Sequence, residues 1–233
     1  MSVIPKYLCC LWLIFNINIL SYNFKNSYEM LQFLQTILPE KPVILEAGGH
    51  NGEDTLMMKS LWPEAIIHVF EPIKESFENL NRNTQHLYNI FRYNYAVSSI
   101  TGNTSFYLNT RDFGASSISR PLRHNAHDFD IRPTTVACVN LNEWASFYGI
   151  DHIDFMWLDM KGHELHALLS ASRILPSVKV IFTEVNVMET CETTCLYQDL
   201  KSFLEARAFE QMWILPINKV QAYVLFIKKG VLA

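Results

Sequence analysis

The sequence has no long run of lysine and arginine. Its 19 basic residues are outnumbered by 23 acidic ones, which gives a formal net charge of −4 over 233 residues. Proteins that hold nucleic acid by its phosphates need clustered positive charge, because counterion release drives that binding. The charge balance therefore argues against sequence-independent electrostatic binding of nucleic acid, and we expect no nucleic-acid partner.

The cysteine content argues against a disulfide scaffold. Five cysteines are present, an odd number in a chain long enough to build a sizeable core. Cys191 and Cys195 lie four apart, but no second ligand pair at matching spacing accompanies them. His163 and His166 are three apart and do not form the zinc pattern H-E-x-x-H. We expect free thiols and no metal site.

The N-terminus lacks a small-x-small cleavage site. An apolar segment from Leu8 to Leu20 has the length of a signal-peptide core and is short for a bilayer span. Three interpretations stay open: a weak signal or anchor, a segment on a membrane surface, and a helix packed on the domain. We expect residues 1–26 to form this apolar segment and residues 27–233 to form one domain.

Glycine is scarce but concentrated in one place. Of eight glycines, Gly48, Gly49 and Gly52 fall within five residues, directly after the apolar run Val43–Ala47. Glycine lacks a Cβ, so the backbone can bend tightly and approach a ligand closely. A strand, a glycine turn and a helix start form the nucleotide-cofactor corner of open α/β sheets, although an ordinary tight turn has the same pattern.

Strand-like apolar runs alternate with helical periodicity up to about residue 206. This alternation predicts an α/β fold with a mainly parallel sheet, to which two strands at the C-terminal end add an antiparallel member. The region 111–133 has little periodicity and is typical of a lid, a binding loop or a disordered loop. Among the expected elements are the helix Ser27–Leu38, a helix whose first position is Pro72, and the strands Ile90–Val97 and Val178–Phe182.

Three of the predicted parallel strands have a carboxylate at their C-terminal end, namely Glu46, Glu71 and Asp159. In a parallel sheet these side chains fall on the carboxyl edge, where ligands bind. The distance in sequence from Gly48 to Glu71 is close to the roughly twenty residues that separate a glycine turn from its ribose-binding acid. A dinucleotide or S-adenosylmethionine (SAM) would use such an acid.

The glycine spacing favours SAM over a dinucleotide. The G-x-G-x-x-G pattern that cradles a pyrophosphate is missing, and Glu53 and Asp54 put negative charge where that group would lie. SAM has no phosphate and carries a cationic sulfonium, so acidic surroundings suit it.

The chain resembles the FkbM-type methyltransferases, a branch of the seven-stranded Rossmann-like SAM-dependent fold. The resemblance runs from about Val43 to Val185 and rests on motifs that occur in the family's order. These motifs are Leu45–Gly52 (LEAGGHNG), Phe70-Glu71-Pro72, Ala96-Val97-Ser98, Gly114–Ile118 (GASSI), Val139-x-Leu141, and Ile153-Asp154 leading to Leu158–Glu164 (LDMKGHE).

The resemblance implies an O-methyltransferase acting on hydroxyls of sugars or secondary metabolites. It implies a seven-stranded, mainly parallel sheet with an antiparallel C-terminal strand and helices on both faces. By the same resemblance, Glu71 binds the ribose and Asp159 faces the methyl-transfer end. The rest of the implied cofactor set comprises Glu46, Gly48 and Gly52 on the methionine side, Ala96 and Val97 beside the adenine, and also Gly49, Asn51 and Pro72.

Three positions depart from the family pattern. Glu46 replaces the usual Asp, Asn142 replaces an Asp, and Lys161 stands where the family usually has an acid. Lys161 reverses a charge beside the expected reaction site. For the general base we expect Asp159 or His163. The simpler alternatives are a helix N-cap for Asp159 and a solvated first-turn residue for His163.

These observations predict a SAM-dependent O-methyltransferase whose acceptor is a small polar molecule or a glycan. A catalytically silent SAM-fold binding protein and an NAD-dependent oxidoreductase are the alternatives. Because SAM is a cytosolic metabolite, we expect a cytoplasmic protein, with weak membrane contact through residues 8–20 left open.

Overall fold

The computed structural model describes residues 22–122, 130–192 and 194–232. The predicted apolar segment at residues 1–26 therefore lies almost wholly outside the described residues. Within the described ranges, no helix combines the length and the apolar character needed to cross a membrane.

The chain alternates strands and helices as the sequence pattern predicts. In chain order the elements are α1 (Ser27–Leu34), β1 (Val43–Ala47), α2 (Glu53–Leu61), β2 (Ile66–Phe70), α3 (Lys74–Thr84), β3 (Ile90–Tyr93), β4 (Ala96–Ser98), β5 (Gly102–Asn109), β6 (Ile131–Asn140), α4 (Leu141–Tyr148), β7 (Phe155–Leu158), α5 (Glu164–Ser170), β8 (Val180–Asn186), α6 (Tyr197–Glu205), β9 (Phe209–Pro216) and β10 (Gln221–Lys228). Short 3-10 turns cover Phe113–Ala115 and Leu175–Ser177.

Seven strands form one sheet in the order β3-β2-β1-β7-β8-β10-β9. The strands β3, β2, β1, β7 and β8 run parallel, and β10 is antiparallel to both of its neighbours. The central strands β1, β7 and β8 are buried along their whole length because helices cover both faces of the sheet. The expected Rossmann-like seven-stranded sheet, mainly parallel with an antiparallel strand near the C-terminus, is confirmed.

The register of the central strands aligns their carboxyl ends. Ala47 at the end of β1 is paired with Phe70 of β2 and with Leu158 of β7. The residues that follow these three strands therefore emerge side by side, and they include Gly48, Glu71 and Asp159.

The predicted strand Ile90–Val97 is wrong, because two strands in different sheets share that stretch. The chain leaves the main sheet after β3, and the Asn94 side chain fixes the bend by donating to the carbonyls of Glu71 (2.8 Å) and Pro72 (3.1 Å). β4 then joins a second, three-stranded sheet with the order β4-β6-β5. This small sheet, which the sequence pattern did not reveal, covers one side of the cofactor edge.

Other boundaries also differ from the sequence predictions. α1 ends at Leu34 rather than Leu38, and α3 begins at Lys74, so Pro72 precedes that helix by two residues. β8 continues to Asn186 because antiparallel pairing with β10 extends it, and Glu184 therefore lies inside a strand. In the region 111–133 the structure describes residues 111–122 and 130–133, of which the last three belong to β6.

Candidate active site

A pocket opens at the carboxyl edge of β1, β2 and β7. Its floor is the glycine turn after β1, and one side is formed by Glu71 and the residues that follow β2. The turn after β7 forms the opposite side. Strand β5 of the small sheet contributes Phe106, the 3-10 turn after β5 contributes Phe113 and Gly114, and the chain beyond that turn contributes Ser116 and Ile118.

The glycines of the turn are required by close packing within the protein. Gly48 has φ +97°, and a Cβ placed on it would lie 2.1 Å from the carbonyl oxygen of Asp159. A Cβ on Gly49 would lie 2.3 Å from a methyl group of Val69. Gly52 has φ +85° and packs against Leu80 of α3, away from the pocket. Of the predicted turn residues, Gly48, Gly49 and Asn51 line the pocket, and Gly52 supports the turn from behind.

Glu46 lies beneath the pocket floor and is fully buried. The hydroxyl of Thr55 donates to its Oε2 at 2.5 Å, and no described residue donates to its Oε1. Burial raises the pKa of Glu46 well above its usual value, and the nearby Asp54 and Glu71 add to that rise. Glu46 therefore ties β1 to the first turn of α2 and does not line the pocket.

Glu71 is almost completely buried and is held rigidly at the pocket. The backbone N–H of His50 donates to Oε2 at 2.8 Å, and that of Ile73 donates to Oε1 at 2.7 Å. Burial raises the pKa of Glu71 to about 7, although these two hydrogen bonds oppose the rise. Each carboxylate oxygen keeps a lone pair, so Glu71 can accept further hydrogen bonds from a ligand.

The side of the pocket beyond Glu71 is mainly apolar. Pro72, Ala96 and Val97, which the sequence analysis assigns to the cofactor site, line it together with Ile73 and Tyr95. Phe106 and Phe113 were not predicted as site residues. Their signal was indirect, since the GASSI motif follows Phe113, but nothing local indicated that β5 would fold back over the pocket.

Asp159 occupies the opposite side and has two strong partners. The hydroxyl of Tyr223 donates to its Oδ2 at 2.9 Å, and the ammonium of Lys161 lies 2.7 Å from its Oδ1. The same ammonium lies 2.5 Å from Oε2 of Glu184, whose Oε1 accepts from Gln221 at 2.9 Å. The alternative of a helix N-cap for Asp159 is wrong, because His163 occupies the N-cap position of α5.

Titratable groups that interact with one another dominate this side of the pocket. Burial alone would lower the pKa of Lys161. The carboxylates of Asp159 and Glu184 have the opposite and larger effect, so the pKa of Lys161 lies above its usual range. Burial and then Asp159 raise the pKa of Glu184, and Lys161 opposes that rise. Burial and the charge of Asp159 raise the pKa of Asp54 to about 6.

His163 lines the pocket but is buried rather than solvated. Its Nε2 lies 3.2 Å from the hydroxyl of Ser98, and its ring stacks on that of His166 with centroids 4.2 Å apart. Burial, reinforced by His166, lowers the pKa of His163 to about 3. The ring is therefore neutral near pH 7 and is a weak proton acceptor, which leaves Asp159 as the better placed of the two predicted bases.

Comparison with known proteins decides the family. A family model described as the methyltransferase FkbM domain matches residues 46–210, which is most of the chain. The chain belongs to the FkbM methyltransferase family. Its cofactor is accordingly S-adenosyl-L-methionine.

One curated relative supports this assignment and two solved structures support the fold. The 2-O-methyltransferase NoeI of Sinorhizobium fredii (strain NBRC 101917 / NGR234) is 26% identical over 170 residues, covering 69% of this chain and 70% of that protein. The fibrillarin/Nop5p complex (12% identity, TM-score 0.52, 88% and 81% coverage) and precorrin-6y C5,15-methyltransferase from Geobacter metallireducens GS-15 (9%, 0.51, 89% and 90%) share the fold.

The pocket of this FkbM methyltransferase fits SAM chemically. It combines an apolar side, a rigid carboxylate with free lone pairs, and an acidic side, which match an adenine ring, ribose hydroxyls and a sulfonium cation respectively. Among the described residues that line the pocket, Lys161 is the single lysine or arginine. Cys138, Cys191 and Cys195 are free thiols. No cluster of potential metal ligands occurs among the described residues.

Proposed function

We propose that this protein is a SAM-dependent O-methyltransferase that methylates a hydroxyl of a small polar acceptor, such as a sugar, a glycan or a secondary metabolite. The observation that carries the proposal is that the carboxylates following β2 and β7, Glu71 and Asp159, line one pocket. The name of the relative NoeI, a 2-O-methyltransferase, supports oxygen as the methylated atom.

In this proposal Glu71 accepts hydrogen bonds from the ribose hydroxyls of SAM. Its two backbone partners hold the carboxylate in one orientation before the ligand arrives, which reduces the entropy lost on binding. The turn Gly48–Asn51 contacts the methionine part, with Glu46 and Gly52 supporting that turn from behind. The adenine lies against Pro72, Ala96 and Val97, which need no polar partner to bind a flat ring.

SAM, when bound, supplies an electrophilic methyl group to the acceptor oxygen. Asp159 is held by Tyr223 and Lys161, and its carboxylate keeps lone pairs that can accept the hydroxyl proton of the acceptor. The Nδ1 atom of the neutral His163 is buried and has no hydrogen-bond partner among the described residues, so His163 is the weaker candidate for the base. The small sheet shields the pocket from water and so limits loss of the methyl group to solvent.

The acidic surroundings of the pocket support an acceptor other than nucleic acid. The net charge is −4, and the cation that lines the pocket, Lys161, is already paired with carboxylates. The likeness to fibrillarin is one of fold and carries no information on the acceptor. We infer that residues 27–233 form the methyltransferase domain and that the protein works in the cytoplasm, where SAM is made. Membrane contact through residues 8–20 stays a prediction.

Isothermal titration calorimetry with SAM, S-adenosylhomocysteine (SAH) and NAD tests the cofactor. We expect SAM and SAH to bind and NAD not to bind. Glu71→Ala should weaken binding of both by about 1–3 kcal/mol through lost ribose hydrogen bonds. The matched control, Glu64→Ala, removes an exposed carboxylate from outside the pocket and should change nothing. NAD binding without SAM binding would contradict the proposal.

A panel of hydroxyl acceptors with methyl-labelled SAM tests the reaction. We expect label on an acceptor oxygen, identified by NMR of the product. SAM binding without turnover on sugars, glycans and secondary metabolites would instead favour a catalytically silent SAM-binding protein. The ion pair between Lys161 and Asp159 is the observation that supports that second candidate.

A further inference from the structure

The ammonium of Lys161 bridges two carboxylates from neighbouring strands. It lies 2.7 Å from Asp159, which follows β7, and 2.5 Å from Glu184 on β8. The Glu184 side chain is 2% exposed and that of Lys161 is 25% exposed, so water screens this pair poorly. Without the ammonium, two carboxylates would face each other in a site of low polarity.

The backbone at Lys161 holds the ammonium in that place. Lys161 has φ +54°, a left-handed conformation that is uncommon outside glycine. The carboxylate of Glu164 accepts from the backbone N–H groups of Met160 (2.8 Å) and Gly162 (3.1 Å), on either side of Lys161. The hydroxyl of Ser117 donates to the Lys161 carbonyl at 3.0 Å. The turn is therefore fixed on three sides.

Charged and titratable groups face Lys161 from each element packed around it. The turn after β7 contributes Asp159, α2 contributes Asp54, β8 contributes Glu184, and β10 contributes the phenol of Tyr223, while Glu164 of α5 binds the backbone on either side of Lys161. These groups are acidic, so the charge of Lys161 has no cationic substitute among them.

We propose that Lys161 is a positioning residue that holds the carboxylates of Asp159 and Glu184 side by side and thereby sets how strongly the site distinguishes the sulfonium cofactor SAM from its neutral product SAH. This inference rests on the proposed SAM site. When both carboxylates are ionised, the three groups carry one net negative charge, which attracts a sulfonium and does not act on the thioether of SAH. The preference matters for turnover because the product must leave before the next cofactor binds.

Removal of Lys161 should move the pH dependence of this preference to higher pH. Two adjacent carboxylates without a cation share a proton near neutral pH, because both cannot ionise cheaply. The pKa of Glu184 is raised to about 8 although Lys161 opposes the rise, so in Lys161→Met the pair would gain its second negative charge only at a higher pH. Between about pH 7 and 9 the ratio of SAM to SAH affinity should therefore rise by up to about tenfold in the wild type, as expected for one added charge near the sulfonium, and should change little in Lys161→Met.

The experiment measures SAM and SAH dissociation constants by calorimetry between about pH 7 and 9, for the wild type, Lys161→Met and Lys161→Arg. Titration of the amino group of SAM affects all three proteins equally and cancels in the comparison. We expect Lys161→Arg to follow the wild type, since it keeps the charge. Lys229→Met, which removes a cation from an exposed ion pair outside the pocket, controls for net charge. Parallel pH profiles for the wild type and Lys161→Met would overturn the proposal.

A second pair of variants keeps the test decisive if Lys161→Met does not fold. Glu184→Gln leaves Lys161 and Asp159 as a neutral pair, so the ratio of SAM to SAH affinity should fall by up to about tenfold at pH 9, where Glu184 of the wild type is ionised. The double variant Lys161→Met/Glu184→Gln keeps Asp159 alone and should restore the wild-type ratio at pH 9. An unchanged ratio in Glu184→Gln overturns the inference, whereas failure of the wild type to bind SAM overturns the proposed function itself.

Discussion

The phenol of Tyr223 donates a hydrogen bond of 2.9 Å to Oδ2 of Asp159, and so β10 holds the carboxylate that follows β7. Tyr223→Phe removes this bond but keeps the stacking of the ring on Phe182. We expect the free energy of unfolding, measured by urea denaturation, to fall by about 1 kcal/mol. Tyr88→Phe, which removes an exposed phenol paired with Glu64, should cost less. Equal losses in the two variants would contradict a stabilising role for the Tyr223 bond.

Gly48 is predicted to tolerate no side chain. In Gly48→Ala the new Cβ would lie 2.1 Å from the carbonyl oxygen of Asp159 at a backbone φ of +97°. We expect a loss of more than about 3 kcal/mol in urea denaturation, because a strand end must move. Gly149 also has a positive φ, +68°, but no described atom lies within 4 Å of its ideal Cβ.

Gly149→Ala is therefore the matched control for backbone strain alone. We expect it to cost only about 1 kcal/mol, the penalty for a left-handed alanine. A similar cost in both glycine variants would mean that the contact between Gly48 and Asp159 relaxes easily and that the turn is less tightly packed than the structure indicates.

The cofactor edge could be predicted because its signals are local in sequence. Three apolar runs end at Gly48, Glu71 and Asp159. These runs are enough to predict three parallel strands whose carboxyl ends lie together. The break at Asn94 could not be predicted in this way. The apolar pattern is the same on both sides of it, and only tertiary contacts decide that the chain changes sheets there.

The ionic network could not be predicted from the sequence for a related reason. Tyr223 and Asp159 are 64 residues apart, and Lys161 and Glu184 are 23 apart. These contacts depend on the register of β8 against both β7 and β10, which no short motif encodes. The resemblance to the family showed that Lys161 is basic where the family usually has an acid. It could not reveal that two carboxylates contact the Lys161 ammonium.

Cofactor binding should strengthen as the pH rises through about 7. Burial raises the pKa of Glu71 to about 7, and its ionised form is the better acceptor for ribose hydroxyls. SAM and SAH share the ribose, so both affinities should rise between about pH 6 and 8 by a similar factor, several-fold in size. Calorimetry on Glu71→Ala provides the comparison. If the affinities of Glu71→Ala rose by the same factor over this pH range, the titrating group would be another one, such as Asp54.

Glu46→Gln should stabilise the protein increasingly as the pH rises. Burial raises the pKa of Glu46 well above its unfolded value, so between those two values the native state holds more protons than the unfolded state. Stability therefore falls with rising pH in that window. Glutamine stays neutral and can still accept from Thr55, so it removes this dependence. In urea denaturation we expect the unfolding free energy of the variant to match that of the wild type within about 0.5 kcal/mol near pH 5 and to exceed it by about 1 kcal/mol or more near pH 8.

Glu40→Gln, at an exposed position, is the control, and its difference in unfolding free energy from the wild type should be the same at both pH values. If the difference in unfolding free energy between Glu46→Gln and the wild type were also the same at both pH values, Glu46 would be ionised in the folded protein and its buried Oε1 would have a partner.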